Sequence, residues 1–421
     1  MPLKERDLKV CYIYQDQYPW DVRVEKITHT LAKEGIEVHI ISRNRDCLPI
    51  REKLSHNLYV HRLPGNVNKY IRNIINSPAF FSPFWIKKII NIVRTCSIDI
   101  MIVRDLPLSP AAYVAAKLTN KLTLMDMAEN YPAMIRDTWT YRGPQKLDYI
   151  IRNPVFLKLI EKRIIPLMDG VLVVSQLSAN RIRNVCKNHK RMWVVNNTPI
   201  IDDEKSLAIS PLAKEIRSRS NFVLIYVGGL EESRGIDIAI KAIPYLVKAI
   251  PDILLVIIGE GTSKVKLGAL TKQLSIERHI YFTGWIPHEE IPSIINSSDI
   301  CLIPHYVTEH IDTTVPNKIF DYMSQKKPVV VTQAKALSEI VKTANCGLIY
   351  YDKSPKSLCS VIKKLLDVRI REYLGFNGWV AIQREFNWNH DKIRLLDAIN
   401  ELSKVTQPRQ SRRFENNELL S

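Results

Sequence analysis

Short apolar runs alternate with amphipathic stretches along most of the chain. Leu8–Gln15 is apolar enough for a buried strand. Val24–Glu34 then carries Val24, Ile27 and Leu31 at helical spacing and stops at Gly35, a helix-ending signal. Further strands are predicted at Val38–Ser42, Leu58–Leu63, Ile98–Arg104, Lys121–Asp126, Gly170–Ser175 and Met192–Asn196. Helices are predicted at Ser109–Thr119, Asn153–Leu167 and Ser178–Lys187. The polar, charged stretch Asp202–Ser220 reads as a linker. A second set begins beyond it, with strands at Phe222–Val227, Ile253–Ile258, Ile280–Thr283, Ile300–Pro304, Pro328–Thr332 and Gly347–Tyr350. Its helices fall at Asp237–Lys248, Thr262–Leu274, Ile291–Ser297, Asn317–Gln325, Leu337–Lys342 and Pro355–Asp367. Strand alternating with helix predicts an α/β chain with two Rossmann-like domains, each a mostly parallel sheet covered on both faces. The expected boundaries are 1–205 for the first domain, 206–220 for the linker and 221–378 for the second domain. Crossover helices at 379–403, within the helical segment Arg371–Leu402, would return to the first domain before a tail at 404–421.

The totals agree with this outline. A chain of 421 residues exceeds one compact core, and 46% apolar with 24% charged residues is globular composition. The seven cysteines never form C-x-x-C and sit in apolar strings such as Val10-Cys11-Tyr12, which suggests reduced thiols. Met1–Lys9 is charged and leads directly into a strand, without the apolar core of a signal peptide. No apolar run approaches the roughly 18 residues needed to cross a bilayer.

The formal charge of +17 asks for an anionic partner: a lipid surface, a phosphorylated substrate or nucleic acid. Nucleic acid is not expected, because no zinc-finger, RNP-type or basic-zipper pattern occurs. Lys69–Arg94 interleaves Lys69, Arg72, Lys87, Lys88 and Arg94 with Phe80-Phe81-Ser82-Pro83-Phe84-Trp85-Ile86. Such a stretch is expected to lie at an anionic membrane interface, the structural alternative being two helices packed on the sheet around a proline-containing turn. The expected location is cytoplasmic, peripheral on the inner membrane.

Ligands of parallel sheets bind beyond the carboxyl ends of the strands. In the first domain that selects Gln15–Arg23, Arg104–Leu108, Asp126–Tyr131 and Ser175. In the second, Tyr226-Val-Gly-Gly-Leu-Glu-Glu-Ser-Arg-Gly235 follows a strand directly. Gly228 and Gly229 allow close approach of a phosphate, and Arg234 can pair with its oxygens. Ile257-Ile-Gly-Glu-Gly-Thr262, with Gly259, and Phe282-Thr-Gly-Trp-Ile286 make two more such turns. Thr313–Val331 is a loop ending in Pro316-Asn317-Lys318, a helix carrying Asp321, then a strand. A helix start with a lysine in its first turn suits an anion. Tight turns and a helix with an incidental Lys and Asp are the plain structural alternative. His305 and His310 lack a third ligand, no residue is assigned to a metal, and Ser175 lacks the G-x-S-x-G elbow of hydrolases.

Together these residues resemble the family-4 retaining glycosyltransferases of the GT-B fold, over nearly the whole chain. The likeness is to bacterial members that build surface polysaccharides. It implies two Rossmann-like domains facing across a cleft, with a C-terminal helix crossing back to the N-terminal domain. It also implies a UDP- or GDP-sugar donor, no cofactor, and a glycan or lipid-linked acceptor. Family roles put Arg234 and Lys318 at the diphosphate and Asp321 at the ribose. Thr313, Thr314, Pro316 and Asn317 fall near the donor sugar and phosphates, and the chain around Ile286 reads the base. The family's first-loop basic residue is Gly229 here, and the first of its two acids eight positions apart is Thr313.

In the first domain Trp20-Asp-Val-Arg-Val24 resembles a common start of this subgroup and brings in Asp21 and Arg23. Asp126-Met-Ala-Glu-Asn-Tyr-Pro132 resembles the loop with Asp, His and Glu, so Asp126, Glu129 and Tyr131 are candidates, while Ala128 stands at the histidine position. The implied chemistry is retention, with the leaving diphosphate taking the acceptor's proton. No Asp-x-Asp occurs, so the metal-bridged diphosphate site of the other major glycosyltransferase fold is not suggested. A nucleotide-sugar epimerase of the same fold and a non-catalytic sugar-nucleotide-binding partner stay open, as does the oligomeric state.

Overall fold

A computed structural model describes residues 8–19, 21–65, 79–146, 148–186, 191–201 and 210–406. The chain divides into two units. The first holds Met1–Pro132, Lys146–Asn196 and Asp391–Ser421, and the second Ala133–Gln145 and Asn197–His390. Ala133–Gln145 thus leaves the stretch that the sequence gives to the first domain.

The first unit is built on eight strands: β1 (Lys9–Gln17), β2 (Glu37–Arg43), β3 (Arg51–Ser55), β4 (Leu58–Arg62), β5 (Ile100–Arg104), β6 (Leu122–Met127), β7 (Gly170–Val173) and β8 (Met192–Val194). Their order in the sheet is β3-β4-β2-β1-β5-β6-β7-β8, and only β3 runs antiparallel to its neighbour. Periodicity missed β3 because Arg51-Glu-Lys-Leu-Ser55 is an exposed edge with no apolar face to alternate. Val10, Cys11, Tyr12 and Ile13 are all fully buried, as expected of a central strand covered on both faces.

The second unit has six parallel strands: β9 (Val223–Val227), β10 (Leu254–Ile258), β11 (Ile280–Gly284), β12 (Ile300–Ile303), β13 (Val329–Thr332) and β14 (Gly347–Tyr350). Their order is β11-β10-β9-β12-β13-β14. Side chains alternate along β9: Leu224 and Tyr226 enter one core with Ile240 and Leu255. Val223 and Ile225 enter the other with Ile303, Ile319 and Val329. Sequence order reverses beside β9, the type of switch point at which open α/β sheets bind ligands.

The linker expectation needs correction, and two others gain detail. Within the expected linker, Pro211–Arg219 is a helix, capped by the Ser210 hydroxyl and burying Ala213 and Ile216. Residues 202–209 lie outside those described. The helical segment Arg371–Leu402 falls in two helices, Val368–Arg384 and Trp388–Thr406. Asn387 sets the break: its amide donates to the Ile382 and Gln383 carbonyls and its Oδ1 accepts from the Asn389 N–H. Within the basic aromatic stretch, residues 66–78 lie outside those described. The rest is a turn at Ala79–Phe81 and a helix, Pro83–Thr95, with Phe80 and Trp85 buried in the core. The expected tail beyond Thr406 is also outside the described residues. Among the described residues, no helix is long and apolar enough to cross a membrane.

Candidate active site

In the second unit the three glycine turns stand side by side because β9, β10 and β11 are neighbours. The Gly228 N–H donates to the Ile258 carbonyl, and the Gly259 N–H to the Gly284 carbonyl. Gly228 and Gly259 both have φ +131°, where a side chain is strained. A Cβ on Gly259 would come to 2.1 Å from the Gly228 carbonyl oxygen, so the turns touch as only glycines can. Gly229 differs: a Cβ there would meet nothing within 4 Å.

Two cations converge on this edge. Lys318, the first residue of the helix Lys318–Ser324, sets its Nζ 4.0 Å from the centre of the Tyr226 ring. A Cβ on Gly228 would stand 2.7 Å from that Nζ. Arg234 ends the turn Glu232–Arg234 that leads into the helix Ile236–Leu246. His305, fully buried just after β12, joins them: its Nδ1 is 3.4 Å from an Arg234 guanidinium nitrogen, and its Nε2 is 3.5 Å from Lys318 Nζ. Burial, with Lys318 and Arg234 beside it, holds the imidazole well below its ordinary pKa and therefore neutral. Burial and then Arg234 also press the Lys318 ammonium well below its usual value, against the pull of Asp321. Neither Lys318 nor Arg234 forms an ion pair with a carboxylate among the described residues. Two crowded cations and a neutral histidine are a site in want of an anion. The Tyr226 hydroxyl donates to the Gly229 carbonyl and steadies the turn.

The helix start contributes less than the sequence implies. The N–H groups of Ile319, Phe320 and Asp321 already point to the carbonyls of Pro316 and Asn317. Positive charge therefore rests on Lys318 and Arg234. Thr313 donates its hydroxyl to the Glu309 and His310 carbonyls, and Thr314 is buried. The helix containing Ala133–Arg142 holds this loop, through Asp137 accepting from Thr308 and Arg136 pairing with Glu309. Pro316 is partly buried and Asn317 exposed at the mouth of the loop, while Asp321 lies one turn into the helix. Ile286 packs against the core below β11, and its neighbour Trp285 is 70% exposed. Sequence reading missed Tyr226 and gave His305 no role as a partner of the cations. Its place directly after a strand was the available signal.

In the first unit the candidates form a buried charge network. Arg23 and Asp126 are fully buried and 2.6 Å apart. Tyr12 donates to Asp126 Oδ2, and Arg23 also donates to the Val195 carbonyl. Arg104 faces Asp21, Asp105 and Asp126 at 3.3, 3.5 and 3.6 Å. Burial raises the pKa of Asp126, but Arg23 and Arg104 outweigh it and hold the carboxyl ionised below the ordinary range. Asp21 caps the helix Val22–Lys33 by accepting from the N–H groups of Arg23 and Val24. Asp105, within the selected stretch Arg104–Leu108 but given no role there, accepts from the Ala128 and Glu129 N–H groups and so shapes the loop after β6. Burial pushes its carboxyl up to about 6. Glu129 and Tyr131 are partly buried, and Trp20 lies outside the described residues.

Two family models cover most of the chain: Glycosyltransferase Family 4 at residues 21–198 and Glycosyl transferases group 1 at residues 212–377. An uncharacterized glycosyltransferase of Methanocaldococcus jannaschii, MJ1069, is 24% identical over 87% of this chain and 91% of its own. The alpha-D-kanosaminyltransferase of Streptomyces kanamyceticus is 22% identical over 37% of this chain and 39% of its own. Sucrose-phosphate synthase from Thermosynechococcus elongatus superposes with a TM-score of 0.76 at 16% identity, over 95% of this chain and all of that one. Anabaena Alr3699/HepE in complex with UDP-glucose superposes at 0.69 and 14% identity, over 94% of this chain and all of that one. The fold is that of the GT-B glycosyltransferases. The chain belongs to the family-4 glycosyltransferases.

Proposed function

We propose that this glycosyltransferase moves a sugar, with retention, from a UDP- or GDP-activated donor to a glycan or lipid-linked acceptor at a membrane surface, in polysaccharide or glycoconjugate assembly. The observation that carries the donor assignment is the pair Arg234 and Lys318, gathered beside the Gly228 turn with no carboxylate ion pair to either among the described residues. A nucleoside diphosphate supplies the missing negative charge. In transfer, the acceptor oxygen bonds to the anomeric carbon as the bond from that carbon to the diphosphate oxygen breaks. The departing oxygen takes the acceptor's proton on the same face. Arg234 and Lys318 stabilise the charge that grows on it, so the residues do the work otherwise given to a divalent ion. The bound UDP and UDP-glucose of the Alr3699/HepE structures favour a nucleotide-sugar donor. The named relatives are transferases, which favours transfer over epimerisation. In the first domain Glu129 and Tyr131 meet the acceptor, and Asp126 with Arg23 positions their loop.

A thermal-shift screen against UDP- and GDP-sugars tests the donor, since a ligand at about 100 times its Kd adds about 2.7 kcal/mol of stability. No shift with any of them, and none with UDP or GDP, overturns the assignment. Retention follows from the anomeric configuration of the product by NMR, and metal independence from rates unchanged by EDTA.

A further inference from the structure

Apart from the candidates above, three metal-binding side chains meet in the first unit. His39 lies on β2, and its register partner on β4 is Tyr59, so His61, two residues on, projects to the same face. The two imidazoles stack with centroids 5.1 Å apart, and His39 Nδ1 is 2.9 Å from His61 Nε2. Cys96 caps the helix Pro83–Thr95, and its Sγ joins them, so that one ligand atom from each residue lies within 4.8 Å of the others. This is the one such group among the described residues. The other ring nitrogen of His39, Nε2, is 2.8 Å from Glu37 Oε1, which also accepts from Lys9. That arrangement fixes the proton on Nε2 and leaves the Nδ1 lone pair facing His61 and Cys96. Metal-ligating histidines are oriented in the same way by a carboxylate behind them. Both rings are buried.

We propose that His39 Nδ1, His61 Nε2 and Cys96 Sγ bind one divalent cation of the zinc class, with Glu37 orienting His39. Two imidazoles and a thiolate suit zinc rather than magnesium or calcium, which take oxygen ligands. The ion replaces the hydrogen bond between the two rings. His61 keeps one proton, shifted to Nδ1, while Cys96 gives up its thiol proton, so one proton leaves for each ion bound. The ion ties two neighbouring strands to the end of a helix and braces the first unit. It takes no part in donor binding. Spacings of 22 and 35 residues match no metal motif, which is why the sequence concealed the site.

The test uses the full chain with the exposed Cys47 replaced, Cys47→Ser. After dialysis against buffered zinc, elemental analysis is expected to find one zinc per chain, with a higher Tm than the chelated protein. Cobalt(II) in its place is expected to show thiolate-to-cobalt charge-transfer absorption. Cys96→Ser, at a partly exposed position, removes that band and weakens binding about tenfold or more, as does His61→Ala. The proposal is overturned if the parent binds no stoichiometric zinc. It is equally overturned if Cys96→Ser, folded by circular dichroism, keeps the parent's affinity and absorption.

Discussion

The Lys318 ammonium stands 4.0 Å above the Tyr226 ring and 3.5 Å from His305. An aromatic face and a neutral imidazole hold the cation without cancelling its charge. A diphosphate that gains negative charge as its bond to sugar breaks is therefore stabilised more in the transition state than before it. Lys318→Met, which keeps length and removes charge, is expected to lower kcat about 10²–10³-fold in a UDP-release assay. An unchanged kcat would remove Lys318 from the site.

Gly229 offers the opposite experiment. A Cβ there meets nothing within 4 Å, and the position carries none of the backbone strain of Gly228. Gly229→Lys adds a third cation to the turn. It is expected to lower the Kd for a UDP-sugar several-fold, about 1 kcal/mol for a partly exposed charge, read by calorimetry. Weaker binding would mean that the diphosphate does not lie against this turn.

How much of this was legible depended on what each residue's neighbours are in sequence. The parallel strands were legible because burial on both faces makes them continuous apolar runs, as in Ile253–Ile258. The exposed edge strand Arg51–Ser55 carries no such signature. Gly228, Arg234 and Lys318 were legible because each follows a strand or opens a helix. His305 and Tyr226 were not, because their roles come from packing onto Arg234 and Lys318 across other elements, 71 residues apart in the case of His305 and Arg234. Asp105 was legible by its place in Arg104–Leu108, but its hydrogen bonds to Ala128 and Glu129, after another strand, were not. Asp126 was legible as a charged residue at a strand end, but its complete burial against Arg23 was not.

That burial sets a third expectation. Removing one member of a buried, hydrogen-bonded ion pair leaves the other charge uncompensated. Asp126→Ala is expected to destabilise the protein by about 3–5 kcal/mol in urea unfolding. The residue belongs to the first unit and the donor cluster to the second, so the UDP affinity of the folded variant is expected to match the parent's. Normal stability with lost turnover would instead make Asp126 a catalytic residue.

Asp105 predicts a pH dependence of stability. Its carboxyl titrates at about 6 when folded, raised mainly by burial, against about 3.9 unfolded. Between those values the folded chain binds more protons, so this group's contribution falls as pH rises from about 4 to 6. Its side chain is 17% exposed, and the loss is about 1–3 kcal/mol. Asp105→Asn keeps an acceptor for the Ala128 and Glu129 N–H groups and removes the proton. It is expected to match the parent near pH 4 and to exceed it near pH 7. Equal stabilities at both pH values would show that the Asp105 carboxyl titrates alike in the folded and unfolded chain.

The proposed membrane contact draws on the exposed faces of two helices in the first unit. On the helix Pro83–Thr95, Trp85, Ile89 and Val93 turn inward, leaving Phe84, Lys87 and Arg94 exposed. The helix Pro154–Ile164 is more exposed still, with Val155 at 78% and Leu159 at 50%. Lys158, Lys162 and Arg163 surround them, and its one acid, Glu161, is buried against Arg181. Apolar side chains ringed by cations are the composition of an interfacial helix. Val155→Asp with Leu159→Asp is expected to abolish sedimentation with vesicles containing anionic lipid, while Lys87→Glu weakens it by about 1–2 kcal/mol. Raising salt should weaken the parent's binding as the surface potential is screened. Binding that ignores both lipid charge and the double substitution would remove the membrane from the proposed function and leave the donor site untouched.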